Sequence, residues 1–383
     1  MAKKKIASGK SDLASSSSDI LRSPAELLYA DELNALQASD TFARPPGWHL
    51  SPRAVRTFVL GSEAAPLGEN SPEITRKFYG NDALVDRSIV TLIGNRGLML
   101  IGEPGTAKSM LSELLAAAVS GGSELTIQGT AGTTEDQIKY SWNYALLLSE
   151  GPTRRSLVPA PLFRGLSEGR VVRFEEITRC PAEIQDTLIS VLSDKVLHIP
   201  EFEGADAVLH AKPGFNIIAT ANTRDRGVHE MSAALRRRFN FETVTPISDP
   251  EFELELVLKQ AGALLHQCGA EARLDRDVVR VLVDTFHELR NGRTKEGGVV
   301  EKPSSVLSTA EAVSVVMSAG IDAAHFGDGT VSGVHLARQL TGAVLKDDEA
   351  DVKKVRQYFE VVVRSRASTD TNWKDFYTAR DQL

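Results

Sequence analysis

The sequence predicts an α/β fold: a three-layer α-β-α core built on a parallel sheet and a phosphate-binding loop, followed by a smaller all-α lid domain. Three observations predict it. An apolar run at 98–101 breaks into Gly102-Glu103-Pro104-Gly105-Thr106-Ala107-Lys108-Ser109 and then into a helical run at 109–119. Strand, glycine loop and helix in that order are the context a phosphate-binding loop requires. Two more apolar runs end in polar residues, 171–174 before Glu175-Glu176 and 215–221 before Asn222. From residue 249 onward the pattern is helical, with no strand signal of comparable strength.

Composition narrows the class. At about 150 residues per domain, 383 residues suggest two or three domains. The 42% hydrophobic and 25% charged content is that of an ordinary globular chain with a real core. No apolar run reaches the roughly 18 residues a membrane span needs, and no apolar leader segment opens the chain. Cys180 and Cys268 form no spaced framework, which points to a reducing, cytoplasmic setting without structural disulfides. The formal charge of −7 argues against general nucleic-acid binding, which depends on neutralising phosphates.

Taken in order, residues 1–22 form a polar tail, Lys- and Ser-rich, with too little apolar content to offset its ordering entropy; disorder is expected. Residues 23–80 read as a helical approach segment, with helices near 24–38 and 51–60. Ser51 followed by Pro52 is an N-cap before a first-turn proline. The core is expected over 81–247, opening with a helix at 82–93. After the loop helix come a strand at 125–128, a short helix at 134–140, and an insertion at 142–169 of helical fragments broken by Gly151, Pro152, Pro159 and Pro161. A helix follows at 181–192. Residues 195–200 and 207–211 read as a β-hairpin. His198 and His210 lie on it without a third ligand, which favours ordinary hairpin residues over a metal pair. The lid, 248–383, is expected to carry helices near 250–266, 275–290, 304–318, 335–345 and 351–364.

The candidate chemistry sits at the strand ends. Backbone N–H groups of a glycine loop and a helix N-terminus converge on one spot and stabilise an anion there. Lys108 can reach the outer phosphates, and the Ser109 hydroxyl can ligate Mg²⁺. Ala107 stands where a second glycine is usual, so its backbone must avoid the glycine-only regions. Paired carboxylates at a strand's end suit a magnesium–nucleotide site: Glu175 would support the metal, through water given its extra methylene, and Glu176 would polarise the attacking water. Asn222 can position that water or the γ-phosphate, or simply cap a turn. Arg236, Arg237 and Arg238 are either a solvated face or a cation offered to a neighbour's phosphate.

Together these motifs resemble an AAA+ ATPase, and in detail its MoxR branch. The form Pro104-Gly105-Thr106-Ala107-Lys108-Ser109 is that branch's phosphate loop, so Ala107 is a branch feature. Glu175-Glu176-Ile177-Thr178-Arg179-Cys180-Pro181 with Gln185 and Leu188 is similar to its Walker B segment, and Ala219-Thr220-Ala221-Asn222 to its sensor 1. The resemblance implies ATP and Mg²⁺ as cofactors. Gly102, Glu103, Pro104, Gly105, Thr106, Ala107, Lys108, Ser109 and Met110 would bind the nucleotide, with Ser109 and Glu175 at the metal. It implies Glu176 and Asn222 as catalytic, and a homo-oligomeric ring, a hexamer, in which Arg238, or second Arg237, acts on the next subunit's site. The insertion and the hairpin would face a pore or partner. A client protein to be remodelled and a von Willebrand A-domain partner are implied too. The branch's sensor 2 arginine has no clear counterpart, leaving Lys302 or Arg338 as substitutes. Residues 221–226 with 234–239 also resemble the GTP-hydrolysing, nucleic-acid-coupled motor of McrB-type defence systems; the Walker segments fit MoxR better, which favours ATP.

Overall fold

The computed structural model describes residues 21–68, 72–222, 229–304, 307–345 and 348–383. The tail through residue 20, part of the loop at 61–71, and Thr223 to Arg226 of the McrB resemblance lie outside the described residues.

The approach segment forms α1 (Ala25–Leu28), α2 (Ala30–Ser39) and α3 (Pro52–Leu60). The Ser51 hydroxyl caps α3 by accepting from the Ala54 N–H at 3.2 Å, with Pro52 in the first turn. The segment clasps the back of the core: Glu113 accepts from the Ala25 N–H at 3.0 Å and from Arg22, and Glu26 accepts from Ser123. Lys77 is buried against the Tyr29 and Phe58 rings and paired with Glu32.

The core then runs through α4 (Asp82–Ile93), β1 (Gly97–Gly102), α5 (Lys108–Ser120), β2 (Thr126–Gln128), α6 (Glu135–Ile138), β3 (Tyr140–Trp142), α7 (Tyr144–Glu150), β4 (Leu157–Pro159), α8 (Pro161–Glu168), β5 (Val171–Glu175), α9 (Ala182–Asp186), α10 (Leu188–Ser193), β6 (Val196–His198), β7 (Val208–His210), β8 (Asn216–Asn222), α11 (Ala233–Arg236) and β9 (Phe239–Val244). Five strands pair in parallel in the order β2-β5-β8-β1-β9. Buried on both faces, such strands read as continuous apolar runs. Successive side chains take opposite faces: Leu98 and Leu100 join α3, α4 and α5, whereas Met99 joins α8, α10, Phe174 and Ile217. Parallel pairing puts every C-terminal end on one edge, with Gly102 opposite Asn222 and Gln128 opposite Glu175.

The structure adds to the expectation in two places. β9 is a fifth strand directly after the arginines, and β3 pairs with β4 as a small antiparallel ribbon inside the insertion. The expected hairpin is present as β6 and β7. There His198 faces Val208 and His210 faces Val196, both histidines exposed, and no metal-binding group of three His, Cys, Asp or Glu occurs among the described residues.

The helical C-terminal region comprises α12 (Pro250–Gln267), α13 (Arg276–Asn291), α14 (Thr309–Phe326), α15 (Gly333–Leu340), α16 (Glu349–Tyr358), α17 (Arg364–Arg366) and α18 (Thr371–Thr378). Ser308 caps α14 in a reciprocal box with Glu311, so that helix starts at Thr309 rather than near 304. α18 was not legible as a helix from its spacing; it closes the region's core with Trp373 and Phe376. Beneath α14 lies a buried polar cluster. Glu253, fully buried, accepts from Arg290 at 3.0 Å and Thr309 at 2.6 Å and lies against His287 Nε2. Arg290 also donates to the Leu307 carbonyl at 2.9 Å and the Ile247 carbonyl at 3.3 Å, tying the lid to the segment that enters it. No described helix is long and apolar enough to cross a membrane.

Candidate nucleotide site

A cavity of about 390 Å³ opens where the strand ends meet the lid. Its floor is the loop from Pro104 to Met110, and Glu176, Thr220 and Asn222 line the same space. Thr245, Pro246 and Ile247 line it from the connection to the lid, and Tyr79, Leu256, Gln260 and Ser308 to Ala310 complete it. Of the expected nucleotide-binding residues, Gly102 and Glu103 sit just behind this surface: the Lys108 ammonium donates to their carbonyls at 3.2 and 2.7 Å.

Ala107 adopts φ 66°, ψ 23°. This is the left-handed region, which an L residue enters at a cost of roughly 1–2 kcal/mol, not a glycine-only one. The turn aims the first N–H groups of α5 into the cavity, where an anion is favoured. Gly105 is held at φ +73°, and a Cβ there would fall on the Ser308 hydroxyl. Loop and lid are in contact.

Glu175 is 5% exposed and lies behind Ser109 rather than on the cavity wall. Its Oε2 accepts from the Ser109 hydroxyl at 2.7 Å and Thr220 at 2.8 Å; its Oε1 accepts from Ser112 at 2.6 Å and Arg173 at 2.9 Å. Burial pushes its pKa up, but the Arg173 charge and the three hydroxyls outweigh it and hold the carboxyl below its usual range. Glu176 is a left-handed residue at φ 54°, ψ 45°, with its N–H on Thr220 at 2.9 Å and its carboxylate 2.5 Å from Arg179. Sequence reasoning missed Arg173. The available signal was a charged residue inside an otherwise apolar strand, two positions before an acid.

Arg238 and Arg237 do not line the cavity of their own chain. They border a separate concavity with Asn95, Arg96, Leu192 and Ser193. Arg238 donates to Ser193 Oγ at 2.8 Å and the Ala234 carbonyl at 2.6 Å, and Arg237 is exposed. Neither Lys302 nor Arg338 reaches the cavity. Arg338 is instead bonded to Asp322 and Gln382, and the lid presents Ser308, Thr309 and Ala310 at this wall.

A parallel sheet ordered β2-β5-β8-β1-β9, a phosphate loop after β1, acids after β5 and an amide ending β8, all beneath a helical lid, define an AAA+ nucleotide-binding module. Known proteins agree. The AAA domain (dynein-related subfamily) matches residues 97–239, and the YehL-like AAA+ ATPase C-terminal domain matches residues 251–383. The uncharacterised protein YehL of Escherichia coli (strain K12) is 50% identical over 363 residues, covering 94% of this chain and 97% of YehL. Chaperone MoxR1 of Mycobacterium tuberculosis is 29% identical over 201 residues, 52% of this chain and 49% of MoxR1. Gas vesicle ATPase GvpN1 of Halobacterium salinarum is 26% identical over 199 residues, 49% of this chain and 55% of GvpN1. The chain belongs to the YehL-like family of MoxR-type AAA+ ATPases.

Proposed function

We propose that the protein is a Mg²⁺-dependent ATPase that works as a cytoplasmic homo-oligomeric ring, a hexamer, to remodel or mature a client protein. The observation that carries this reading is the convergence of the phosphate loop, Glu176 and Asn222 on one cavity, with Glu175 directly behind Ser109.

The residues present fit the nucleotide and its metal. The loop's N–H groups and Lys108 hold phosphates, and Lys108 exchanges its carbonyl partners for phosphate oxygens. The Ser109 hydroxyl donates its hydrogen bond to Glu175, which would leave its lone pairs to hold Mg²⁺. A bound Mg²⁺ supplies charge neutralisation at the phosphates. Glu176 takes the proton of the attacking water, and Asn222 holds that water or the γ-phosphate. Beyond the loop and the strand ends, Tyr79, Ile247, Leu256 and Gln260 line the cavity and would meet the base. An amide pairs bidentately with the adenine edge, which supports ATP over GTP.

Arg238, with Arg237 second, serves the neighbouring subunit's site. An arginine supplied in trans contributes about 10³–10⁵ in rate, or roughly 4–7 kcal/mol. Specific activity should therefore rise with protein concentration through the assembly range and fall by about 10³ or more in Arg238→Ala or Arg237→Ala. Flat specific activity in a protein that assembles would sink the trans arrangement. For the client, Glu176→Gln loaded with ATP is the trap: co-purification of a protein, including one with a von Willebrand A domain, supports remodelling. Salt-sensitive stimulation by DNA or RNA would instead favour a nucleic-acid-coupled motor.

A further inference from the structure

Arg173 stands in the middle of β5, 8% exposed, where the neighbouring strand residues are apolar. Its guanidinium spreads over the underside of the phosphate-loop helix. Nη2 donates to Glu175 Oε1 at 2.9 Å and the Ser109 carbonyl at 3.1 Å, and Nε donates to Ser112 Oγ at 2.9 Å. Nη1 reaches the Ser123 carbonyl at 3.4 Å. A planar fork held at several points does not wander from its acid.

An ionised carboxylate offers about four lone-pair sites. Those of Glu175 meet four donors, Ser109, Thr220, Ser112 and Arg173. Its negative charge is neutralised by a cation of the chain itself. A divalent ion arriving alone would find the Ser109 hydroxyl and a carboxylate already paired; the remaining attraction must come from nucleotide phosphates.

We infer that Arg173 is a positioning residue that makes metal binding conditional on nucleotide. It occupies Glu175 as a permanent internal counter-ion, keeps Ser109 aimed, and prevents the empty site from retaining a divalent cation. This inference rests on the magnesium–nucleotide reading above and assigns that site its order of filling: nucleotide with its metal, never metal first.

Mn²⁺ serves as the probe, with free Mn²⁺ measured by electron paramagnetic resonance on the full-length protein. In the wild type, ADP should create a Mn²⁺ site that is absent without nucleotide; if ADP creates none, the magnesium–nucleotide reading itself fails. Arg173→Met should bind Mn²⁺ without nucleotide at least about tenfold more tightly than the wild type, as expected for a freed carboxylate. The double variant Arg173→Met/Glu175→Gln should lose that binding, and Arg173→Lys, which keeps the charge, should resemble the wild type. Arg173→Gln replaces the methionine variant if the latter does not fold. Nucleotide-free Mn²⁺ binding that is unchanged in a folded, charge-removed variant overturns the inference. So does tight Mn²⁺ binding by the wild type alone.

Discussion

Replacing Arg290 by methionine tests the polar cluster that fastens the lid. The guanidinium serves Glu253 together with the carbonyls of Leu307 and Ile247, and the Glu253 side chain has no exposed surface. Removing one member of a buried ion pair costs about 3–5 kcal/mol. Thr309 and His287 still contact the carboxylate, so the lower end, about 3 kcal/mol, is the expected loss. That corresponds to a fall in Tm of roughly 6–12 °C. Differential scanning fluorimetry and urea unfolding read it directly.

The sign of its pH dependence follows from Glu253. Burial raises its pKa, but His287 and Arg290 outweigh burial and lower it. A depressed carboxyl contributes stability that is present above the unfolded value of 4.5 and lost as pH falls through the folded value. Without Arg290 the burial cost dominates, so the variant's deficit should be largest at neutral pH and shrink as pH falls below about 4.5. Adding Glu253→Gln should recover part of the loss at neutral pH. A deficit that is independent of pH, or a Tm change below about 2 °C, would refute the assignment.

Three further outcomes are expected. Ala107→Gly should retain nucleotide binding and gain about 0.5–1 kcal/mol in stability, since relief of a left-handed alanine exceeds the added chain entropy; a loss in urea unfolding would contradict this. Gly105→Ala should weaken nucleotide binding at least about tenfold, because the new methyl strikes Ser308 at a positive φ; a fluorescent-nucleotide titration decides, and Ser308→Gly in the same chain should restore part of it. Gln260→Leu should narrow the preference for ATP over GTP by about tenfold or more, the worth of one bidentate contact. Competition titrations would expose an unchanged ratio.

The legible parts of the fold were those whose signal is local. β1, β5 and β8 are buried on both faces and therefore appear as unbroken apolar runs, and α3 and α4 carry their caps in sequence at Ser51 and Asn81. β9 escaped because an edge strand alternates: Phe239, Glu242 and Val244 are buried while Phe241 and Thr243 are exposed, and the preceding arginines read as a helix end. β3 and β4 are three residues each and exist only through their mutual pairing. At the site, Lys108, Ser109, Glu176 and Asn222 were legible because motif spacing places them at strand ends. Arg173 was not, since its partners Ser109, Ser112 and Ser123 come from other stretches of chain. The lid wall at Ser308 to Ala310 depends likewise on how α14 docks.

β1 and β9 run side by side, each six residues long, from Gly97 opposite Phe239 to Gly102 opposite Val244. The phosphate loop leaves one end of this pair and the arginines enter at the other. Six strand residues span about 20 Å, a gap no side chain bridges, so a lone chain cannot bring its own arginines to its own phosphates. The paired strands act as a stiff lever. A tilt of roughly 10° about the loop end would swing the arginines by roughly 3.5 Å over that length, enough to make or break a hydrogen bond. On the ring arrangement proposed above, the angle of each sheet would set the timing of its neighbour.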